Sequence, residues 1–154
     1  RLMVAFKNGN VDDWVRSEKY DMTIVPFHTC IFKNPTTQSI DRNGLSLLLS
    51  SPGQAFLECL HLVPDYYNYM DLYYIMEQLT SLDSDKVQTA LENTSSQRVK
   101  RMFLYMAEKA GHYWFDMLDM DRFGLTTSKL QLVDNGVYIS KYRITVPKEL
   151  NVYE

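Results

Sequence analysis

Two short cysteine and histidine pairs have the chemistry of a metal site. Zinc accepts both residue types, which occur here as His28-x-Cys30 and Cys59-x-His61. Residues two apart share one face of a strand, so the first pair could chelate together. The second pair falls in a predicted helix, where residues two apart point about 200° away from each other. We therefore expect no metal site, and we expect Cys59 on the apolar face of its helix.

Three aspartates, Asp116, Asp119 and Asp121, form a carboxylate cluster. Paired carboxylates can hold Mg²⁺ or divide acid and base roles, so a metal-dependent enzyme is one alternative. These three flank a helix end and a loop beside Arg122, which favours solvated charge. The chain has no nucleophile elbow, Walker loop or glycine-rich dinucleotide loop. We therefore predict that the protein is not an enzyme and needs no cofactor.

A cationic helix is the third candidate. Residues 97–110 predict an amphipathic helix closed by Gly111, with one apolar stripe at i, i+3, i+4, i+7 and i+11. Its opposite face carries Arg101, with Arg98 and Lys100 on the flanks. Three basic residues in four positions can hold phosphates. The predicted nucleic-acid or anion-binding residues are Arg98, Lys100, Arg101, Lys129 and Arg143. The alternative is a solvated face on which Arg101 pairs with Glu108 or with acids elsewhere.

Charge is distributed unevenly along the 154 residues, whose net charge is −3. Residues 53–95 carry −6 and residues 96–148 carry +4. The total argues against a general nucleic-acid binder but allows a local basic face in the last third. The acidic segment holds a tyrosine cluster at 66, 67, 69, 73 and 74. This aromatic-acidic helical face predicts a protein-interaction or dimerisation module, an alternative that ranks ahead of the metal-dependent enzyme.

The secondary-structure elements that position these residues follow one another as strands, then helices, then strands. Residues 2–6 and 22–27 predict strands, with a helical turn or loop at 11–19 between them. Residues 38–50 predict a hairpin around Asn43-Gly44. Four helices follow: one opened by Ser51-Pro52, one around 72–79, one from Ser84 and the basic helix. A short turn at 114–118 ends this bundle.

The C-terminal part predicts a second hairpin, in which 130–133 pairs with 137–139 around Asn135-Gly136, and a last strand at 143–146. The fold class is therefore α+β: 1–50 mainly strands, 51–118 mainly helices, 119–154 hairpin and tail. No apolar stretch is long enough to cross a bilayer and no signal peptide is recognised. Two cysteines make no disulfide framework, so we expect a cytoplasmic protein.

A longer string resembles a known family. The run Val99-Lys100-Arg101-x-Phe103-Leu104-Tyr105-x-Ala107-Glu108-Lys109-x-Gly111-His112-x-Trp114 is similar to the antitoxin half of the AbiEi family. Weaker similarity occurs at 50–58 and 142–150, and the resemblance spans roughly 44–150. Its motif residues are Tyr105, Glu108, His112 and Trp114. From the residues alone, His112 is either a cation at the helix C-terminus or a hydrogen-bonding core residue.

The resemblance implies a cytoplasmic bacterial antitoxin of a type IV toxin–antitoxin system, tied to abortive infection and phage resistance. Its implied partners are a nucleotidyltransferase toxin encoded beside it and promoter DNA, because family members are DNA-binding autoregulators of transcription. DNA binding is implied to reside in an N-terminal winged helix, which we expect to be absent from this chain. The chain would then be a single antitoxin domain without membrane contact. Whether it forms a homo-oligomer is left open.

Overall fold

The computed structural model describes residues 2–6, 10 and 23–154. Strands β1 (Leu2–Phe6) and β2 (Ile24–His28) pair in parallel, with Val4 opposite Pro26. The predicted turn or loop at 11–19 and the predicted strand start at Met22 lie outside the described residues. Pro26 lacks the N–H that a central strand would use, which fits its place in a sheet of two described strands.

The first predicted hairpin is confirmed. Strands β3 (Thr37–Arg42) and β4 (Leu45–Ser50) pair antiparallel around Asn43 and Gly44, whose φ angles are 51° and 78°. Positive φ at both central residues gives the turn whose twist matches the two strands. Leu45, Leu47 and Leu48 stay exposed, so this hairpin buries little of its apolar surface.

Four main helices follow, as predicted: α1 (Pro52–His61), α2 (Tyr69–Gln78), α3 (Ser84–Glu92) and α4 (Gln97–Ala110). Pro52 occupies the first helical turn of α1, where a missing N–H leaves no hydrogen bond unmade. Ser51 makes no side-chain cap; its hydroxyl lies 2.6 Å from that of Thr36 instead. Two short 3₁₀ turns, Tyr113–Met117 and Met120–Phe123, end the helical part.

The C-terminal residues form a small three-stranded sheet of β5 (Leu130–Gln131), β6 (Val137–Ile139) and β7 (Ile144–Val146). The strand order is β5-β7-β6. The predicted pairing of 130–133 with 137–139 is therefore wrong, because β7 lies between them. The hairpin in this region joins β6 to β7, and β5 pairs with β7 in parallel. A short helix α5 (Lys148–Val152), which the sequence analysis missed, follows Pro147.

Helix α4 lies at the centre of the molecule and contacts α1, α2 and β7. Every residue from Val99 to Ala107 is buried, although the sequence predicted a single apolar stripe. A helix buried all round needs a cover on its polar side as well. That cover comes from residues 123–128, whose carbonyl oxygens accept hydrogen bonds from Lys100 and Arg101, and from β7. None of the described helices is long and apolar enough to cross a bilayer.

Candidate functional site

Helix α4 is held at both ends by the residues that its sequence supplies. Ser96 accepts a hydrogen bond from the Val99 amide at 3.3 Å, which satisfies one of the N–H groups that have no partner in the first turn. Gly111 closes the helix with a φ of 70°, which glycine adopts without the steric cost of a Cβ. These caps define where α4 begins and ends, and therefore on which side of the helix each basic residue lies.

Arg98 caps another helix. Its guanidinium donates to the carbonyl oxygens of Leu60 at 3.2 Å and of His61 at 3.1 Å, and to that of Val63 at 3.3 Å. The end of α1 and the residues just after it thereby gain a cationic donor for their carbonyl oxygens. Burial, and secondarily the charge of Arg98, lower the pKa of His61 below its ordinary value of 6.5.

Lys100 and Arg101 are the most enclosed cations of the described residues, with exposed fractions of 6% and 1%. Lys100 donates from Nζ to the Phe123 carbonyl at 2.6 Å. Burial lowers the pKa of its ammonium, because a low-dielectric environment disfavours the charged form.

Arg101 joins α4 to the segment that covers it. One terminal nitrogen donates to the Ser128 carbonyl at 2.6 Å and the other to the Thr126 carbonyl at 2.5 Å. Nε donates to the side chain of Gln97 at 3.2 Å. Burial first, and then the nearby Arg143, lower the pKa of this guanidinium. The guanidinium thus bonds α4 to residues 126–128 through several of its N–H groups at once.

The expectation of an exposed cationic face on α4 is therefore wrong for Lys100 and Arg101, which point into the molecule. Of the five predicted anion-binding residues, Lys129 and Arg143 are exposed. The Lys129 ammonium lies 5.4 Å from the Tyr138 ring centre, and Arg143 donates to the Thr127 carbonyl at 2.7 Å. Anion binding by any of the five stays a prediction.

The motif residues also bind parts of the same chain. Glu108 accepts a hydrogen bond from the Tyr142 hydroxyl at 2.9 Å and forms an ion pair with Lys141, not with Arg101. The buried Tyr105 packs edge-on against Tyr142, with ring centres 6.4 Å apart, and burial raises its pKa. The motif thereby attaches α4 to the residues that precede β7.

His112 and Trp114 donate hydrogen bonds to the end of α2. Nε2 of the buried His112 donates to the Met76 carbonyl at 2.7 Å, and the Trp114 indole donates to the Leu79 carbonyl at 2.8 Å. The two rings stack with centres 5.4 Å apart. Of the two roles considered for His112, the structure shows the hydrogen-bonding core residue.

The other candidate catalytic or metal-binding residues lie apart from one another or bond to residues near them in the sequence. Asp119 caps the second 3₁₀ turn by accepting a hydrogen bond from the Asp121 amide at 3.2 Å, and Asp116 is exposed.

His28, Cys30 and His61 line a shallow pocket of about 280 Å³. Within residues 2–6, 10 and 23–154, no three histidine, cysteine or acidic side chains are grouped closely enough to hold a metal ion. Burial raises the pKa of the Cys59 thiol.

A groove that the sequence analysis missed lies beside the Arg98 guanidinium and has a volume of about 720 Å³. Its walls come from the loop after α1, the first turns of α2, the loop after β5 and the start of α5. Asp71 and Glu149 are its two carboxylates, and both are exposed. The tyrosine cluster around α2 is a sequence signal that could have indicated this groove, but its members differ in exposure. Tyr69 and Tyr73 are buried, and Tyr74 is 45% exposed.

Comparison with known families gives one match. A family model described as transcriptional regulator, AbiEi antitoxin, type IV TA system matches residues 2–147. The matched range runs from β1 to the residue before α5 and contains the whole of α4. No curated protein and no solved structure matches the chain.

Proposed function

The chain belongs to the AbiEi antitoxin family, transcriptional regulators of type IV toxin–antitoxin systems, and on that premise we propose that it neutralises a nucleotidyltransferase toxin without catalysing a reaction itself. The toxin and promoter DNA are its proposed partners, and the bacterial cytoplasm, where both would be present, is its proposed location. The protein would act through its surface, because binding does not require a reactive side chain.

One observation supports this proposal above others. Seven polar side chains of the run from 98 to 114 bind backbone carbonyls or side chains of the same chain: Arg98, Lys100, Arg101, Glu108, Lys109, His112 and Trp114. A general acid or base must reach a substrate, and these side chains are already bonded inside the molecule. Because these side chains are used inside the molecule, they favour a rigid protein that binds a partner over one that catalyses a reaction.

Contact with nucleic acid would then fall to the exposed cations of the C-terminal part. Lys129 and Arg143 flank the segment that Arg101 holds in place, so Arg101 would position the backbone from which Lys129 projects. Lys100 would support the same surface from within, because it donates to the Phe123 carbonyl, whereas Arg98 would stabilise the end of α1. Phosphates need accessible cations, which restricts direct contact to the exposed pair.

Co-expression tests the antitoxin function. Induction of the toxin encoded next to this gene should stop growth, and expression of the full chain should restore it. The Lys129→Glu variant should keep this rescue if the residue serves DNA contact alone, while promoter binding in a mobility-shift assay weakens. The purified chain should release no pyrophosphate from nucleoside triphosphates. Absence of rescue, or rescue accompanied by turnover, would contradict the proposal.

The protein-interaction module remains a second candidate, because of the groove. A concave, largely apolar surface with a few polar groups is the common form of a binding site. The groove lies against the acidic segment 53–95, where the sequence analysis placed an interaction face.

A further inference from the structure

Strand β4 of the first hairpin exposes four leucines within six residues. Leu45, Leu47, Leu48 and Leu49 are between 41% and 71% exposed, and β4 contains no charged residue. Soluble monomers usually expose large apolar side chains singly, and contiguous patches mark surfaces that bind another molecule. Together the four leucines expose roughly 400 Å², about half of the ~800 Å² that each partner buries in a standard interface. A patch of this size suits a weak protein–protein contact.

Three of these leucines share one face of the hairpin. Directly opposite residues of an antiparallel pair lie on the same face, and the register places Leu47 opposite Ile40. Leu45 and Leu49, two residues to either side of Leu47, lie on this face as well. The cation of this face, Arg42, lies opposite Leu45 beside the turn. An apolar face with one charge at its end favours an apolar partner over a polyanion.

The outer edge of β4 is also open. Arg42 and Leu45 flank a two-residue turn and therefore form a hydrogen-bonded pair with each other. Such pairs alternate with non-bonded ones along an antiparallel ladder, so the N–H and C=O groups of Ser46 and Leu48 point away from β3. No described strand pairs with this edge, and no backbone hydrogen bond joins either residue to another described segment. An open edge is a template on which a further strand can pair.

We propose that a second copy of this chain occupies this edge, with β4 pairing antiparallel to β4 around a two-fold axis at Leu47. The outward backbone groups of Ser46 then exchange hydrogen bonds with those of Leu48 in the second copy, and the same pair forms again across the axis. Leu45 of one copy lies opposite Leu49 of the other, so the leucine faces of the two copies become continuous. A strand without charge meets an identical strand without like-charge repulsion, which makes β4 complementary to itself.

Sedimentation velocity of the full chain over a range of concentrations tests the association. We expect a dimer with a dissociation constant on the order of 10–100 μM, because the contact is small. Leu47→Lys places two ammonium groups opposite each other at the axis and should weaken the dimer at least about tenfold. Ile75→Lys is the matched control, because Ile75 on α2 is 47% exposed and Leu47 is 49% exposed. Circular dichroism checks that each variant is folded.

Disulfide cross-linking tests the register, in a background where the exposed Cys30 is replaced by serine. The Leu47→Cys variant brings two thiols together across a non-hydrogen-bonded pair, where Cα atoms lie about 4.5 Å apart and a disulfide fits. Oxidised glutathione accepts the two electrons as the bond forms. Leu45→Cys is the control, because residue 45 lies about 13 Å along the strand from its own equivalent in the second copy. The first variant should form a covalent dimer and the second should not.

Each measurement supports or overturns the β4 interface. A concentration-dependent dimer that Leu47→Lys disrupts and Ile75→Lys leaves intact supports it. A monomer at every concentration overturns it. An equal loss with Ile75→Lys would assign the contact to α2, and equal cross-linking of the two cysteine variants would remove the register, so either result also overturns it. Growth rescue enters none of these measurements, so this interface and the antitoxin function are tested separately.

Discussion

Lys100 and Arg101 are held by backbone carbonyl oxygens, without a carboxylate partner among their described hydrogen bonds. A buried cation without an opposite charge is tolerated when its N–H groups are satisfied by well-placed acceptors. The planar guanidinium suits this purpose, because it reaches two carbonyls and a side-chain oxygen at fixed angles. Arg101 thus acts as a structural connector between α4 and the segment 126–128.

Replacement of Arg101 measures that connection. Arg101→Met keeps much of the side-chain volume but leaves the Thr126 and Ser128 carbonyls without their donors, so we expect a loss of about 2–4 kcal/mol in the free energy of unfolding. Arg122→Met is the control. Arg122 is 62% exposed and pairs with Glu92 at 3.0 Å, and an exposed pair contributes less than about 1 kcal/mol. Urea unfolding compares them, and equal losses would refute the structural role.

At the scale of elements, two Asn-Gly turns of the same sequence type behave differently. Asn43-Gly44 makes the tight turn of the β3–β4 hairpin, with both residues at positive φ. At Asn135-Gly136 only Asn135 has a positive φ, of 55°, and the flanking strands do not pair with each other. A Cβ on Gly136 would lie 2.3 Å from the Val146 carbonyl oxygen, so glycine is needed there for close approach to β7.

This difference predicts unequal effects of the same substitution. Gly136→Ala must displace the backbone of β7, and we expect a loss of roughly 2–3 kcal/mol in the free energy of unfolding. Gly44→Ala meets no atom within 4 Å, so its cost is the strain of positive φ, about 1 kcal/mol. Thermal unfolding of both variants tests the order. A Gly136→Ala protein as stable as the Gly44→Ala protein would be inconsistent with the packing described.

At the scale of the whole molecule, residues far apart in the chain meet around α4. The end of α1 contacts Arg98, the end of α2 contacts His112 and Trp114, and the loop before β5 contacts Arg101. Each contact spans more than 20 residues of sequence, so α4 unites the helical part with the C-terminal sheet. The His61 ring centre lies 6.3 Å from that of Phe27 and 6.0 Å from that of Phe32, and the His61 backbone carbonyl accepts a hydrogen bond from Arg98.

The placement of His61 makes the stability of the molecule depend on pH. Its folded-state pKa is lowered below 6.5, so the unfolded chain binds this proton first as the pH falls. The stabilisation is therefore present above about pH 6.5 and is lost below it, by less than the ~1.4 kcal/mol per pH unit that one proton allows. Urea unfolding at several pH values should show a smaller loss between about pH 7.5 and 5.5 for His61→Gln. An unchanged slope would exclude His61 as the cause.

The sequence by itself determined the features that depend on neighbouring residues. Pro52 at a helix start, Gly111 at the end of α4 and Asn43-Gly44 in a hairpin all act within a few residues, and the α+β class follows from their order. The string from Val99 to Trp114 also identified the family. These signals are local, so they can be read along the chain.

Only the tertiary structure decided which charges face water. Helical periodicity placed Arg101 opposite the apolar stripe, but the carbonyls that enclose it lie 25 and 27 residues later in the chain. The insertion of β7 between β5 and β6, and the groove between α2 and the start of α5, depend likewise on contacts between distant segments. Burial is a property of what covers a surface, and the covering segment carries no local signal of where it will pack.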